Sequence, residues 1–120
     1  MATLTDYLVL ANRFDLNPGE NRRINFADLG ADYVEGTRFA RPILSYVCAT
    51  LGRTRIIIEN EGTTIANLRL ESTPQDWRTL HHVFDGRSFQ PFPNNFIQFR
   101  VEDEAKVFFR DVVLWIQRRT

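Results

Sequence analysis

The feature that most constrains this chain is its punctuation: short runs rich in Val, Ile, Phe and Thr recur along its length, separated by Gly, Pro, Asn and Asp. Runs this short, and this rich in β-branched and aromatic residues, read as strands rather than helices. They lie at Tyr7 to Phe14, Arg22 to Phe26, Ile43 to Leu51, Arg55 to Glu59, Thr64 to Glu71, Trp77 to Phe84, Asn95 to Val101 and Lys106 to Gln117. Between them fall Asn17-Pro18-Gly19-Glu20, Asn60-Glu61-Gly62 and Asp85-Gly86-Arg87, where glycine admits positive φ and proline presets its own. About eight strands with turns of this kind predict an all-β, antiparallel two-sheet sandwich of the jelly-roll type. The one candidate helix is a short turn within Phe26 to Tyr33, with Asp28 as its cap.

Successive side chains on a strand point to opposite faces, so alternation assigns the buried side. Ile97, Phe99 and Val101 fall on one face against Gln98 and Arg100, and Ala66, Leu68 and Leu70 fall opposite Asn67, Arg69 and Glu71. The last strand is apolar on both faces. Strict alternation puts Phe108, Val112, Leu114 and Ile116 on one side and Phe109, Val113 and Trp115 on the other. Such a strand is expected to be central, or covered on its outer face by another element or subunit.

A chain of 120 residues has the size of one domain, so residues 1–120 are expected to share one core. Fifteen basic residues balance fifteen acidic ones, which leaves no overall field to draw the protein onto nucleic acid or an anionic membrane. Lys106 is the single lysine, and the other basic residues are arginines, a composition that suits interfaces and equally follows from coding bias. Cys48 lies in an apolar run and reads as a small buried hydrophobe. The opening Met1-Ala2-Thr3-Leu4-Thr5-Asp6 lacks the pattern of a secretory signal, and no run has membrane-spanning length. A cytoplasmic or particle-associated protein is expected.

Catalytic constellations are missing from the sequence. His81 and His82 are adjacent in a strand, point to opposite faces and do not converge on one site; one is expected packed and the other wet. No nucleophile elbow, phosphate-cradling loop or zinc-protease motif occurs, and no enzyme is expected. Glu102-Asp103-Glu104 reads as a solvated hairpin turn or, with added carbonyl ligands, a calcium loop. An inward Asp111 among apolar neighbours must be neutralised, accept backbone donors, or meet a cation such as Arg13. Two loops mix aromatics with polar groups. One carries Phe89, Gln90, Phe92 and Asn94; the other carries Tyr33, Arg38 and Arg41. The first either contacts a ligand or folds its phenylalanines back over a sheet edge, and the second makes either a recognition cluster or a subunit contact.

The order Trp77, then Ile97-Gln98-Phe99, then Phe108-Phe109-Arg110-Asp111-Val112, together with the opening Asn12-Arg13-Phe14-Asp15, resembles the galactose-binding-like jelly-roll domains. In particular it resembles the carbohydrate-binding modules found beside glycoside hydrolases. It covers roughly the last fifty residues and one short N-terminal piece, and it implies a non-catalytic binding module with a glycan as its partner. The resemblance also implies a structural calcium between Asp15 and Asp111, and otherwise no cofactor. The alternative is a structural or assembly subunit that forms a homo-oligomer or part of a viral particle, which would cover the outer face of the last strand.

Overall fold

The structure, a computed structural model, describes residues 3–26, 29, 33, 41–60, 62–71, 77–85, 95–102 and 104–119. Eight strands run in chain order: β1 Thr3–Leu16, β2 Asn21–Phe26, β3 Ile43–Thr50, β4 Thr54–Asn60, β5 Thr63–Leu70, β6 Arg78–Val83, β7 Asn95–Val101 and β8 Val107–Arg119. They form two four-stranded sheets, ordered β1-β8-β3-β6 and β2-β7-β4-β5. Every pairing is antiparallel. The nested partners, β1 with β8, β2 with β7, β3 with β6 and β4 with β5, describe one long hairpin rolled up on itself, the jelly roll. Among the described residues there is no helix long and apolar enough to cross a membrane. The short helical turn expected within Phe26 to Tyr33 falls mostly outside the described residues; Phe26 ends β2, and Tyr33 makes an isolated bridge to Arg118.

The core lies between the sheets and is set by alternation. In β3, Leu44, Tyr46, Cys48 and Thr50 are buried while the residues between them are half-exposed; in β7, Asn95, Ile97, Phe99 and Val101 follow the same rule. At its centre is an aromatic cluster. Phe109 stacks on Phe14 at 4.9 Å and meets the edge of Phe99 at 5.1 Å, with Tyr46 at 6.0 Å. Offset and edge-on arrangements of this kind suit the ring quadrupoles and add to the gain from burial.

Two strands differ from what the sequence predicts. β1 begins four residues before Tyr7 and ends two after Phe14, because it pairs with β8 from Thr3↔Arg119 to Leu16↔Val107 and the whole ladder holds its polar ends in register. More consequentially, β8 does not alternate strictly. Val107 and Phe109 are buried before Asp111, and Val112, Leu114 and Ile116 are buried after it. Phe109 therefore belongs to the core with Val112, and Phe108 faces outward. The cause is a β-bulge. Between Ser45↔Val113 and Val47↔Arg110, β8 spends one more residue than β3, and Asp111 sits there with φ of 52°. One left-handed residue inside a strand reverses the phase of all that follow, and Asp is among the few side chains that tolerate the conformation. It also turns Asp111 to solvent, so the inward carboxylate expected from alternation is exposed. On the β1 side Leu10 is the extra residue that absorbs the offset.

Candidate functional site

The outer surface of the β1-β8-β3-β6 sheet follows from the registers. One row crosses Tyr7, Trp115, Ile43 and Val83; the next crosses Val9, Val113, Ser45 and His81; beyond the bulge comes Arg13, Arg110, Val47 and Thr79. The first row is aromatic and aliphatic. Tyr7 and Trp115 tilt together at 5.5 Å, and the Trp115 indole N–H donates to Ser45 Oγ at 2.9 Å.

Where the bulge separates the rows, an open cleft of about 850 Å³ is lined by Asn12, Arg13, Asp15, Trp77, Lys106, Phe108, Arg110 and Asp111, with Phe14 and Phe109 beneath. β1 supplies Arg13 and Asp15 on its outward side. β8 supplies Phe108 and Arg110, and Trp77 comes from the segment entering β6. The Arg110 guanidinium lies 4.1 Å from the centre of the Trp77 ring, yet Trp77 keeps 45% of its surface in solvent. Lys106 Nζ pairs with Asp15 Oδ2 at 2.7 Å and also sits 5.3 Å from the Phe108 ring. The cleft thus places flat apolar rings beside amide, guanidinium, ammonium and carboxylate groups. That is the chemistry that holds a polyhydroxylated ring, apolar face on the aromatic and hydroxyls on the polar groups.

Of the residues singled out from the sequence, Asp15 and Asp111 come together in this cleft, but as a metal site they do not fit. Asp15 is engaged by Lys106, and among the described residues no group of three or more His, Cys, Asp or Glu gathers to hold a metal. A calcium ion takes about six to eight oxygen ligands, far more than two carboxylates of which one is salt-bridged. Tyr33 is 6% exposed and part of the core, which removes it from a surface cluster; Arg41 is exposed. Arg38, Phe89, Gln90, Phe92 and Asn94 lie outside the described residues. Trp77, Arg13 and Arg110 are far apart in the sequence and meet only in the folded chain. The legible signal was that the opening Asn12-Arg13-Phe14-Asp15 and the closing Phe108-Phe109-Arg110-Asp111 both resembled one family, since β1 and β8 bring those segments side by side.

The described titratable groups with displaced values lie outside the cleft. His82 faces inward and shares a 2.8 Å hydrogen bond with the Tyr46 hydroxyl, while His81 is exposed, as expected of adjacent strand residues. Burial, with His81 alongside, holds His82 below the usual histidine value. Burial also pushes the Cys48 thiol up to about 11 and the Tyr46 hydroxyl higher still, so neither ionises near neutrality. At the far end of β1 the Arg118 guanidinium, at 2.8 Å, and the Tyr7 N–H hold the Asp6 carboxyl below the ordinary range.

The chain matches no protein-family model and no curated protein in sequence. Among solved structures it is similar to dimeric latent PorU from Porphyromonas gingivalis, with TM-score 0.66 and 11% identity over 98% of this chain, which spans only 13% of that one. It is similar over nearly whole domains to the family 29 module CBM29_1 from Piromyces equi, with TM-score 0.51 and 13% identity, covering 93% of this chain and 91% of that one. A third likeness is the CBM36-1 domain of a multidomain xylanase from the hindgut metagenome of Trinervitermes trinervoides, with TM-score 0.53 and 10% identity over 94% and 96% of the two chains. The chain is an all-β sandwich, with a fold similar to that of these two carbohydrate-binding modules.

Proposed function

We propose that the chain is a non-catalytic carbohydrate-binding module whose glycan lies in the cleft between the outer ends of β1 and β8 and Trp77. The observation that carries this reading is the partly exposed Trp77 ring beside Arg13, Asn12, Asp15 and Asp111 in one open cleft. Sugar stacking on an aromatic ring supplies apolar contact, and the charged and amide groups supply direction. Arg38, Arg41, Phe89, Gln90, Phe92 and Asn94 are proposed as ligand contacts in their own right rather than as part of the cleft, since Arg41 precedes the Ile43–Val83 pair, at the other end of the sheet from Trp77. The test is retention of soluble and immobilised glycans by the purified chain, repeated with Trp77→Ala. A defined glycan class should be retained, and the variant should bind at least about tenfold more weakly. Retention of no glycan, or retention indifferent to Trp77, would sink the proposal.

A second reading, an assembly subunit, is favoured by one specific observation: Tyr7, Val9, Val83 and Trp115 all stay exposed on the outer face of one sheet. Sedimentation equilibrium decides it. A concentration-independent oligomer supports assembly, and a monomer removes it.

A further inference from the structure

We infer that the cleft selects a glycan bearing oxyanions, either uronate carboxylates or sulfate esters, over a neutral one; the inference rests on the reading of the cleft as a sugar site. It follows from the charges the two strands bring together. Arg13 and Arg110 are direct cross-strand partners on the outward face. Like charges placed opposite one another across a ladder repel. The neighbouring carboxylate does not relieve them, because Asp15 is already held by Lys106 at 2.7 Å. Among the described residues neither Arg13 nor Arg110 has a carboxylate within ion-pair distance, whereas Arg100 on the other sheet has two, Glu59 at 3.3 Å and Glu102 at 3.5 Å. Taking the Asp15–Lys106 pair as neutral, two guanidinium groups face the single carboxylate of Asp111, so the cleft carries an excess of one positive charge.

The geometry adds direction to that excess. Arg110 lies over the Trp77 ring at 4.1 Å, and a guanidinium stacked on an aromatic keeps its in-plane N–H donors free. Those donors match the two oxygens of a carboxylate or sulfate, beside the ring on which the sugar would rest. Because the chain as a whole has a formal charge of zero, any preference for anions must arise locally rather than from a general attraction to polyanions.

The test uses the full chain in titration calorimetry against three oligosaccharide sets of matched length: oligogalacturonates, sulfated dextran oligomers, and neutral xylo- and cello-oligosaccharides. The expected result is that one anionic set binds at least about tenfold tighter than the neutral set, and weakens severalfold between about 20 and about 200 mM salt. Arg13→Glu, an exposed substitution, should remove that preference, and Arg13→Lys should retain part of it. Thermal melting of each variant shows that it is folded. Which anionic set binds separates carboxylate from sulfate recognition. Equal binding of neutral and anionic sugars, or anion binding indifferent to Arg13→Glu in a folded variant, overturns the inference and leaves the glycan reading standing. Failure of all three sets to bind overturns the inference, and the glycan reading then falls only if the wider retention screen also holds no glycan.

Discussion

The two sheets present opposite surfaces to water. The outer face of β2-β7-β4-β5 is laid out in arginines and amides: Arg23 lies over Phe96 at 3.5 Å, Arg55 donates to Asn67 Oδ1 at 2.7 Å, and Arg100 bridges Glu59 and Glu102. Ile57, on the outward side of β4, is only 9% exposed among them. The outer face of β1-β8-β3-β6 instead leaves Tyr7 at 57% and Trp115 at 39% exposure, and its bulge in β8 turns on the left-handed Asp111, whereas the bulge of the other sheet lies next to the Asn60–Thr63 end of the β4–β5 hairpin. A sandwich core accounts for the inner faces of both sheets equally. What differs is outside, and the bulge at Asp111 is the one that borders the cleft. Interrupting a ladder re-aims side chains, which lets a sheet surface carry groups that do not simply alternate.

That contrast can be sharpened first within β8. Phe109→Ala should destabilise the protein by about 3–5 kcal/mol, as deletion of a buried aromatic does, while the adjacent Phe108→Ala should cost about 1 kcal/mol. Urea unfolding of the two variants measures the difference. Equal losses would mean that the bulge does not set the phase. Next in size, Asp111→Val should lose about 1–2 kcal/mol because a β-branched residue resists positive φ, whereas Asp111→Gly should lose nothing or gain. If the valine variant melts with the parent, the left-handed residue is not there in solution. The smallest effects compare the outer faces directly. Trp115→Ser should cost about 1 kcal/mol whatever the salt concentration, through loss of its contact with Tyr7 and its bond to Ser45. Arg100→Gln should cost about 0.5 kcal/mol or less, a loss that fades in high salt, as expected of a partly exposed ion pair. A salt-dependent Trp115 variant would break the distinction between the faces.

Much of this was legible in the chain because the physics was local. Strand residues, turn residues and two-residue periodicity placed all eight strands, and alternation assigned Ile97, Phe99, Val101, Ala66 and Leu70 to the core correctly. The reading failed where one residue acts at a distance. Periodicity assumes an unbroken ladder, so Asp111 looked like an inward charge when its backbone conformation had turned it out. Tyr33 looked like a surface aromatic because nothing within its own segment reveals that it bridges Arg118, 85 positions further along. The cleft was hidden for the same reason: Arg13 and Arg110 become neighbours only through the pairing of the first strand with the last.

The nested pairing also has a consequence for how the protein is made. β8 lies between β1 and β3, and β7 between β2 and β4, so the last two of the eight strands to be synthesised are interior members of both sheets. Until they emerge, β1 waits without its partner in the ladder, and β2 and β4 wait without the strand that joins them. Contacts between residues this far apart in sequence form slowly, and unpaired strands are templates for association with other chains. Emergence of β8 is therefore the moment at which both sheets can close, and a truncation that removes β8 leaves β1 and β3 as two unjoined edges rather than a smaller sandwich.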